Sequence, residues 1–215
     1  MNNQTVTYDK QIPQSKLMAV RKAAARYVTG PLVRLIAKTK ATPNDLTWIG
    51  FTVIGAGAAL VVSGHMLAAG FVVLGASFFD LLDGALARGT NRVTRYGSVL
   101  DSSLDRAAES LLFGSIAAFY ALHRSSQSTA IILLSVIAMS TSFLVSYVRA
   151  RAEGAGLKCE VGLLTRAERI GLLVIGLWFS GINYALVIIL SIVALLSLIT
   201  AGQRLNCVRQ QTKSK

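Results

Sequence analysis

The chain has 215 residues, of which 53% are hydrophobic and 15% are charged, and its formal net charge is +12. A soluble domain usually carries about 25% charged residues, and the apolar runs here are too long for a soluble core, so the composition indicates a multi-pass membrane protein. The basic residues lie between the apolar runs without interleaved aromatic residues, which argues against nucleic-acid binding.

The N-terminal region is predicted to be a disordered tail followed by an amphipathic juxtamembrane helix. Residues 1–14 are polar and lack hydrophobic periodicity. Over residues 15–40, apolar side chains recur at helical spacing among Lys and Arg, which is typical of a helix lying on an anionic membrane surface. No cleavable signal peptide is expected, because the first apolar run starts late.

Six transmembrane helices are predicted next, which gives an all-α integral membrane fold over residues 41–205 and a basic C-terminal tail over 206–215. All but the fifth helix approach the ~20 residues needed to cross a bilayer. Their approximate limits are 46–67, 68–87, 97–122, 129–148, 170–180 and 184–201.

Basic residues alternate between the two sides of the predicted bundle. The N-terminal region and the successive connections and tail carry eight, none, three, one, five, none and four Lys or Arg. The positive-inside rule therefore predicts a protein of the cell inner (plasma) membrane with both termini and the active site in the cytoplasm.

The chain has two cysteines, Cys159 and Cys207, and both fall in segments that this topology places in the cytoplasm. Thiols stay reduced in that compartment, and the spacing of the two residues matches no metal motif. We therefore expect two unpaired thiols.

Four aspartates form the main functional signal of the sequence. Asp80 and Asp83 are three residues apart on the second predicted span, and Asp101 and Asp105 are four apart on the third. Each pair lies on one helix face near the cytoplasmic end, and facing lipid would cost roughly 2.5–3.5 kcal/mol per charge. Four converging carboxylates require a counterion, so Mg²⁺ or Mn²⁺ is expected.

Small residues and an arginine accompany these acids. Gly84, Ala87 and Gly97 remove side chains beside the aspartates, so that a phosphate can approach the backbone, and Arg88 offers a fork of phosphate donors. The pattern favours a phosphoryl-transfer site. The alternative is that the small residues serve helix packing and that the acids pair with nearby arginines, namely Arg88, Arg92, Arg95 and Arg106.

Glu109 continues the stripe of acids on the third span, four residues after Asp105. Pairing with Arg106, three residues away on the same helix, is the simpler interpretation of this glutamate. We therefore expect an Arg106–Glu109 pair.

The spacing D-x2-D-G-x2-A-R-x8-G-x3-D-x3-D resembles the signature of the CDP-alcohol phosphotransferases. The resemblance implies six transmembrane helices, a homodimer and a two-metal Mg²⁺ or Mn²⁺ site. It implies Asp80, Asp83 and Asp101 as metal ligands, and Asp105 as the catalytic base and a further ligand. It also implies that Asp80 binds a CDP-lipid together with Gly84, Ala87, Arg88 and Gly97.

The start of the first span, from Thr42 to Thr47, also looks like the family's entry to its first helix. Thr42 and Asn44 could cap the helix or contact the nucleotide, and the sequence leaves both possibilities open.

A second basic region concerns the acceptor alcohol. It resembles that of family members whose acceptor is inositol 1-phosphate, and there the matching residues bind the acceptor phosphate; here they are Arg149, Arg151, Arg166, Arg169 and Arg204. The implied reaction transfers a phosphatidyl group from CDP-diacylglycerol to inositol 1-phosphate, giving phosphatidylinositol phosphate and CMP.

Three alternatives stay open at this point. The acceptor could be glycerol 3-phosphate, and the arginines could simply anchor the protein to anionic lipid. In a different class, the acids could line the pathway of a divalent-cation transporter. The clustering of the acids near one face argues against that class, because transporters place their sites at the midplane.

Overall fold

The computed structural model describes residues 42–89, 94–159 and 161–213, and all regular structure in these ranges is helical. The described residues form six helices: α1 Pro43–Val62, α2 Met66–Gly89, α3 Arg95–Leu122, α4 Ser128–Gly154, α5 Arg166–Trp178 and α6 Ala185–Lys213. The predicted tail and amphipathic helix over 1–40 lie outside the described residues.

Three of the helices start at threonine N-caps. Thr42 and Asp45 form a capping box at the start of α1, which confirms the capping interpretation of Thr42. Thr94 accepts a hydrogen bond from the backbone N–H of Gly97 at the start of α3. Thr165 caps α5. These side chains satisfy backbone donors that a helix leaves unpaired in its first turn.

The helices pack as a bundle around one extended apolar core. Helix α1 contacts α2 and α3, α2 also contacts α5, α3 contacts α4, and α6 contacts α4 and α5. The largest fully buried side chains include Phe113, Ile54, Ile131 and Leu190. Four helices, α1, α2 as far as Ala87, α4 and α6, are long and apolar enough to cross a membrane.

Three helix ends differ clearly from the sequence prediction, and one of them is the end of α4 at Gly154 rather than near residue 148. Helix α1 ends at Val62 rather than near residue 67, because Ser63 and Gly64 form a turn in which Gly64 has φ +85°. Helix α6 continues to Lys213, well past its predicted end at residue 201, so most of the predicted C-terminal tail is helical.

The expectation of two unpaired thiols is wrong. Cys159, in the α4–α5 connection, forms a disulfide with Cys207 of α6, and their Cα atoms are 6.2 Å apart. The unexpected length of α6 places Cys207 beside that connection. Gln211, one turn further along α6, donates a 2.8 Å hydrogen bond to the backbone oxygen of Lys158.

Candidate active site

The four aspartates singled out in the sequence come together at one end of the bundle. Asp101 is close enough to Asp80, Asp83 and Asp105 for their charges to interact. Asp83 is buried and accepts a 2.9 Å hydrogen bond from the hydroxyl of Thr47 on α1. Three helices therefore contribute to the aspartate cluster: the starts of α1 and α3 and the end of α2.

A small apolar cluster holds these helix ends together beneath the polar groups. Leu46 of α1 packs with Leu82 and Leu86 of α2, and all three side chains are buried. Leu82 and Leu86 lie on either side of Asp83 in the sequence. The packing of these leucines therefore helps to fix the position of Asp83 relative to α1.

Arg166, at the start of α5, is the cation nearest the aspartates among the side chains that the structure describes. It forms ion pairs with Asp80 and with Asp105, the latter at 2.7 Å between Nη1 and Oδ1. Its Nε is buried and has no hydrogen-bond partner among the described residues. Arg166, which was predicted to bind the acceptor phosphate, thus bridges the predicted metal ligands Asp80 and Asp105. Its Nε takes no part in either ion pair.

The carboxylates of the aspartate cluster are suitable ligands for a divalent metal ion. In this structure, however, they are not arranged around a common point as a complete ligand set would be. Within 42–89, 94–159 and 161–213, no three His, Cys, Asp or Glu side chains are grouped in a way that could hold a metal ion. The physical reason is that Arg166 lies between Asp80 and Asp105, while Thr47 binds Asp83. Carboxylate oxygens that share one cationic partner are nevertheless the donors that hard divalent cations prefer.

A cavity of about 310 Å³ lies between the ends of α1, α2 and α3, and we call it the three-helix cavity. Its lining contains five residues predicted to bind CDP-lipid or metal: Asp83, Gly84, Ala87, Gly97 and Asp101. The other lining residues are Pro43, Asn44, Thr47, Thr94 and Ser98. The side chain of Arg88 lies outside the described residues, so its role stays a prediction.

Gly97 has a clear steric reason to be glycine. A Cβ at this position would lie 3.0 Å from the side-chain oxygens of both Asn44 and Thr94. Any side chain would therefore push Asn44 away from the cavity wall and disturb the cap at the start of α3. The small residue both preserves the cap and keeps the cavity open.

A second, larger cavity of about 620 Å³ lies between α3 and α4, and we call it the α3–α4 cavity. It shares Ser98 and Asp101 with the three-helix cavity, so the two spaces are neighbours. Its remaining lining residues are Ser102, Ser103, Asp105, Arg106, Phe143, Ser146, Tyr147, Arg149, Ala150 and Glu153. Asp105 therefore faces a polar space next to the three-helix cavity.

Among the arginines predicted to bind the acceptor phosphate, only Arg149 lines the α3–α4 cavity. Its Nε donates a 2.8 Å hydrogen bond to Glu153, one turn further along α4. Arg151 is exposed and lines neither of the two cavities.

Arg169 and Arg204 are buried and bind other protein groups. The Nε and Nη2 atoms of Arg169 donate hydrogen bonds of 2.6 and 3.0 Å to the two carboxylate oxygens of Glu109. Arg204 donates to the backbone oxygens of Val145 and Val161 at 2.7 and 3.0 Å. The structure does not bring either arginine into the α3–α4 cavity.

The expected Arg106–Glu109 pair is wrong, because Glu109 binds Arg169 of α5. Arg106 instead lies in the wall of the α3–α4 cavity beside Asp105. Sequence reasoning overlooked this residue as a site candidate. The available signal was its position, since a charged side chain inside a membrane span is a functional candidate by default.

Comparison with known proteins identifies related chains along most of the sequence. Residues 40–203 match the family model described as CDP-alcohol phosphatidyltransferase. The phosphatidylinositol phosphate synthase of Mycobacteroides abscessus is 35% identical over 186 residues, which cover 85% of this chain and 84% of that protein. The enzyme of the same name from Mycobacterium tuberculosis is 34% identical, with 90% and 91% covered.

Solved structures of the M. tuberculosis enzyme have a similar fold. The crystal structure with CDP-DAG bound superimposes with a TM-score of 0.77 at 33% identity, covering 85% of this chain and 94% of that one. The structure in complex with manganese and citrate gives the same TM-score and identity, with 84% and 88% covered.

Proposed function

This chain belongs to the CDP-alcohol phosphatidyltransferase family, and on that premise we propose that it transfers the phosphatidyl group from CDP-diacylglycerol to inositol 1-phosphate. The products are phosphatidylinositol phosphate and CMP. The observation that carries the proposal is the pair of adjacent cavities, which share Asp101 and Ser98 and have Asp105 in the second wall. One space suits a nucleotide-activated lipid and the other a polar acceptor.

We assign the CDP moiety to the three-helix cavity. The related M. tuberculosis enzyme was solved with CDP-DAG bound, which supports CDP-diacylglycerol as the ligand. Asp80, Gly84, Ala87 and Arg88 are the proposed contacts from α2, and Gly97 is the contact from α3. We add Asn44 to the proposed CDP contacts because it lines the same cavity. The small residues leave room for the diphosphate, and the arginine provides charge-assisted donors for it.

The aspartate cluster is the proposed holder of divalent metal. We propose that two Mg²⁺ or Mn²⁺ ions would be held by Asp80, Asp83, Asp101 and Asp105. The related enzyme was solved in complex with manganese, which supports a divalent metal cofactor. Bound metal would neutralise charge on the diphosphate. The hydrogen bond from Thr47 orients the carboxylate of Asp83, which lines the three-helix cavity.

Asp105 is the proposed general base. It takes the proton of the acceptor hydroxyl as that oxygen forms a bond to the lipid-side phosphorus of CDP-diacylglycerol. The bond from this phosphorus to the bridging oxygen breaks, and CMP leaves with the electron pair. Arg166 lies 2.7 Å from Asp105 and orients its carboxylate.

The acceptor occupies the α3–α4 cavity in this proposal. Arg149 lines that cavity, and Arg166 forms an ion pair with Asp105, which lies in the cavity wall. Inositol 1-phosphate is favoured over glycerol 3-phosphate because related proteins over most of the chain bear the name phosphatidylinositol phosphate synthase. Arg151, Arg169 and Arg204 were predicted for the same role, but their positions give them no such support.

We propose that all six helices cross the inner membrane of the cell and that the active site and both termini are cytoplasmic. Helix α3 is long enough, at about 42 Å, although its charged residues lower its hydropathy. Helix α5 rises only about 20 Å, so its flanking residues would complete the span. A single new cysteine at Ser126 should be labelled only from outside; labelling only from the cytoplasm would contradict this topology.

A homodimer is part of the proposal on the basis of the family resemblance. Its test is the mass of the purified enzyme in detergent, measured by light scattering with the detergent contribution subtracted. A monomer that is fully active would contradict it.

The reaction is tested by CMP release from purified enzyme given CDP-diacylglycerol and one acceptor at a time. We expect release with inositol 1-phosphate, little with glycerol 3-phosphate or unphosphorylated inositol, and none after removal of divalent metal. Release with glycerol 3-phosphate alone would assign the enzyme a different acceptor. No release with any acceptor would refute the transferase proposal.

A further inference from the structure

The α3–α4 cavity has two arginines in its wall, and the reaction as described uses only Arg149. The second is Arg106, which directly follows Asp105 on α3. We propose that Arg106 binds the phosphate of the acceptor and so determines that the enzyme requires a phosphorylated alcohol. This inference rests on the proposed function and adds a residue to it.

The guanidinium of Arg106 is held in place by its own helix. Its Nη1 donates a 2.7 Å hydrogen bond to the backbone oxygen of Ser102 and lies 3.7 Å from Oδ2 of Asp105. An arginine carries five N–H donors, and no other hydrogen bond from Arg106 to the described residues is present. The side chain is 29% exposed. It therefore presents oriented, unused donors to the cavity.

The position of Arg106 matches the size of the acceptor. The attacking hydroxyl must reach Asp105, and a compact six-carbon ring then keeps its phosphate close to the same carboxylate. Only two arginines form ion pairs with Asp105 among the described residues, namely Arg106 and Arg166. Arg166 also binds Asp80 and does not line the α3–α4 cavity, whereas Arg106 lies in the wall of that cavity.

The other basic residues nearby are less available for a ligand. Arg169 uses two nitrogens on Glu109, and Arg204 uses two on backbone oxygens. Arg149 lines the cavity but forms an ion pair with Glu153. Donors already satisfied by the protein gain little from a new anion, whereas unused donors gain a charge-assisted hydrogen bond.

The basic residues around the α3–α4 cavity repel one another, although Asp101, Asp105 and Glu153 also lie in its wall. Arg106, Arg149 and Arg169 are all close enough to Arg204 for their positive charges to repel it. An acceptor phosphate placed between Arg106 and Arg149 would relieve part of this repulsion. A neutral alcohol in the same cavity would not.

The test compares Arg106→Gln and Arg106→Lys with Arg209→Gln in purified enzyme. Arg209 is exposed near the end of α6 and lines neither of the two cavities, so its variant controls for the loss of one positive charge. For Arg106→Gln we expect an acceptor KM raised about ten- to a hundredfold, with the KM for CDP-diacylglycerol changed less than about twofold. The lysine variant should recover part of the loss.

Inorganic phosphate provides a second measurement. It should inhibit the wild-type enzyme competitively against the acceptor, and Arg106→Gln should weaken this inhibition by a similar factor. An unchanged acceptor KM, an equal rise in both KM values, or a fall in kcat alone would overturn the role of Arg106. If Arg106→Gln does not fold, the lysine variant and phosphate inhibition of the wild type still decide the question.

Failure of the proposed function would look different. A wild-type enzyme that uses glycerol 3-phosphate but ignores inositol 1-phosphate would refute the acceptor assignment. The Arg106 comparison would then be made with glycerol 3-phosphate, which also carries a phosphate. A wild-type enzyme that uses unphosphorylated inositol equally well would overturn both.

Discussion

Arg169→Gln should damage the stability of the protein rather than its recognition of the acceptor. In the structure, Arg169 binds both carboxylate oxygens of Glu109, and the two residues are 2% and 4% exposed. Removing one partner of a buried ion pair leaves an uncompensated charge and typically costs about 3–5 kcal/mol. Replacing both partners with neutral groups of similar volume costs much less, so Glu109→Gln should rescue the arginine variant.

The measurement is a double-mutant cycle on unfolding in detergent. We expect a clear loss of stability for Arg169→Gln and for Glu109→Gln, and recovery of most of it in the double variant. The acceptor KM of the folded double variant should stay within about threefold of the wild type. A stable Arg169→Gln enzyme with an acceptor KM raised tenfold or more would show that this arginine belongs to the acceptor site.

Further predictions concern the metal, the base, the cation bridge and the thiols. Removal of divalent metal by EDTA should abolish turnover, and Mn²⁺ should restore it. Asp105→Asn should lower kcat by about 10²- to 10⁴-fold with CDP-lipid binding retained, whereas Asp83→Asn should weaken that binding; equal binding losses would argue against a base. Arg166→Gln removes a competing cation, so Mn²⁺ affinity by electron paramagnetic resonance should rise about fivefold or more, and a lower affinity would contradict the competition. Iodoacetamide should add no mass to the unfolded protein until Cys159 and Cys207 are reduced; labelling without reductant would contradict the disulfide.

The parts of the fold that follow local rules could be predicted from the sequence. The apolar runs located all six described helices, and the cap at Thr42 marks where α1 begins. The convergence of Asp80 and Asp83 with the acids of α3 also follows from helical periodicity and a short connection. Lipid cannot solvate these charges, so the acidic faces had to meet inside the bundle.

The partners of individual arginines could not be predicted in the same way. Glu109 has an arginine three residues away on its own helix but binds Arg169, 60 residues along the chain. Helical spacing identifies neighbours on one helix, whereas this pairing depends on where the bundle places α5 relative to α3. The length of α6 was missed for a related reason. Polar residues after 201 end the apolar run, although the backbone remains helical because Arg204 and Gln211 find partners in the α4–α5 connection.

The α4–α5 connection explains how a distant helix positions the aspartate cluster. This connection leads directly into Arg166, and α6 holds it at several points. Arg204 binds the backbone of Val161, and Thr200 accepts a 3.2 Å hydrogen bond from the N–H of Leu164. Gly162 lies so close to Thr200 that a Cβ would clash with it, and the disulfide adds a covalent link. The position of the guanidinium beside Asp105 therefore depends on Thr200 and Arg204 of α6, so the aspartate cluster of the first half and this helix of the second half form one structural unit.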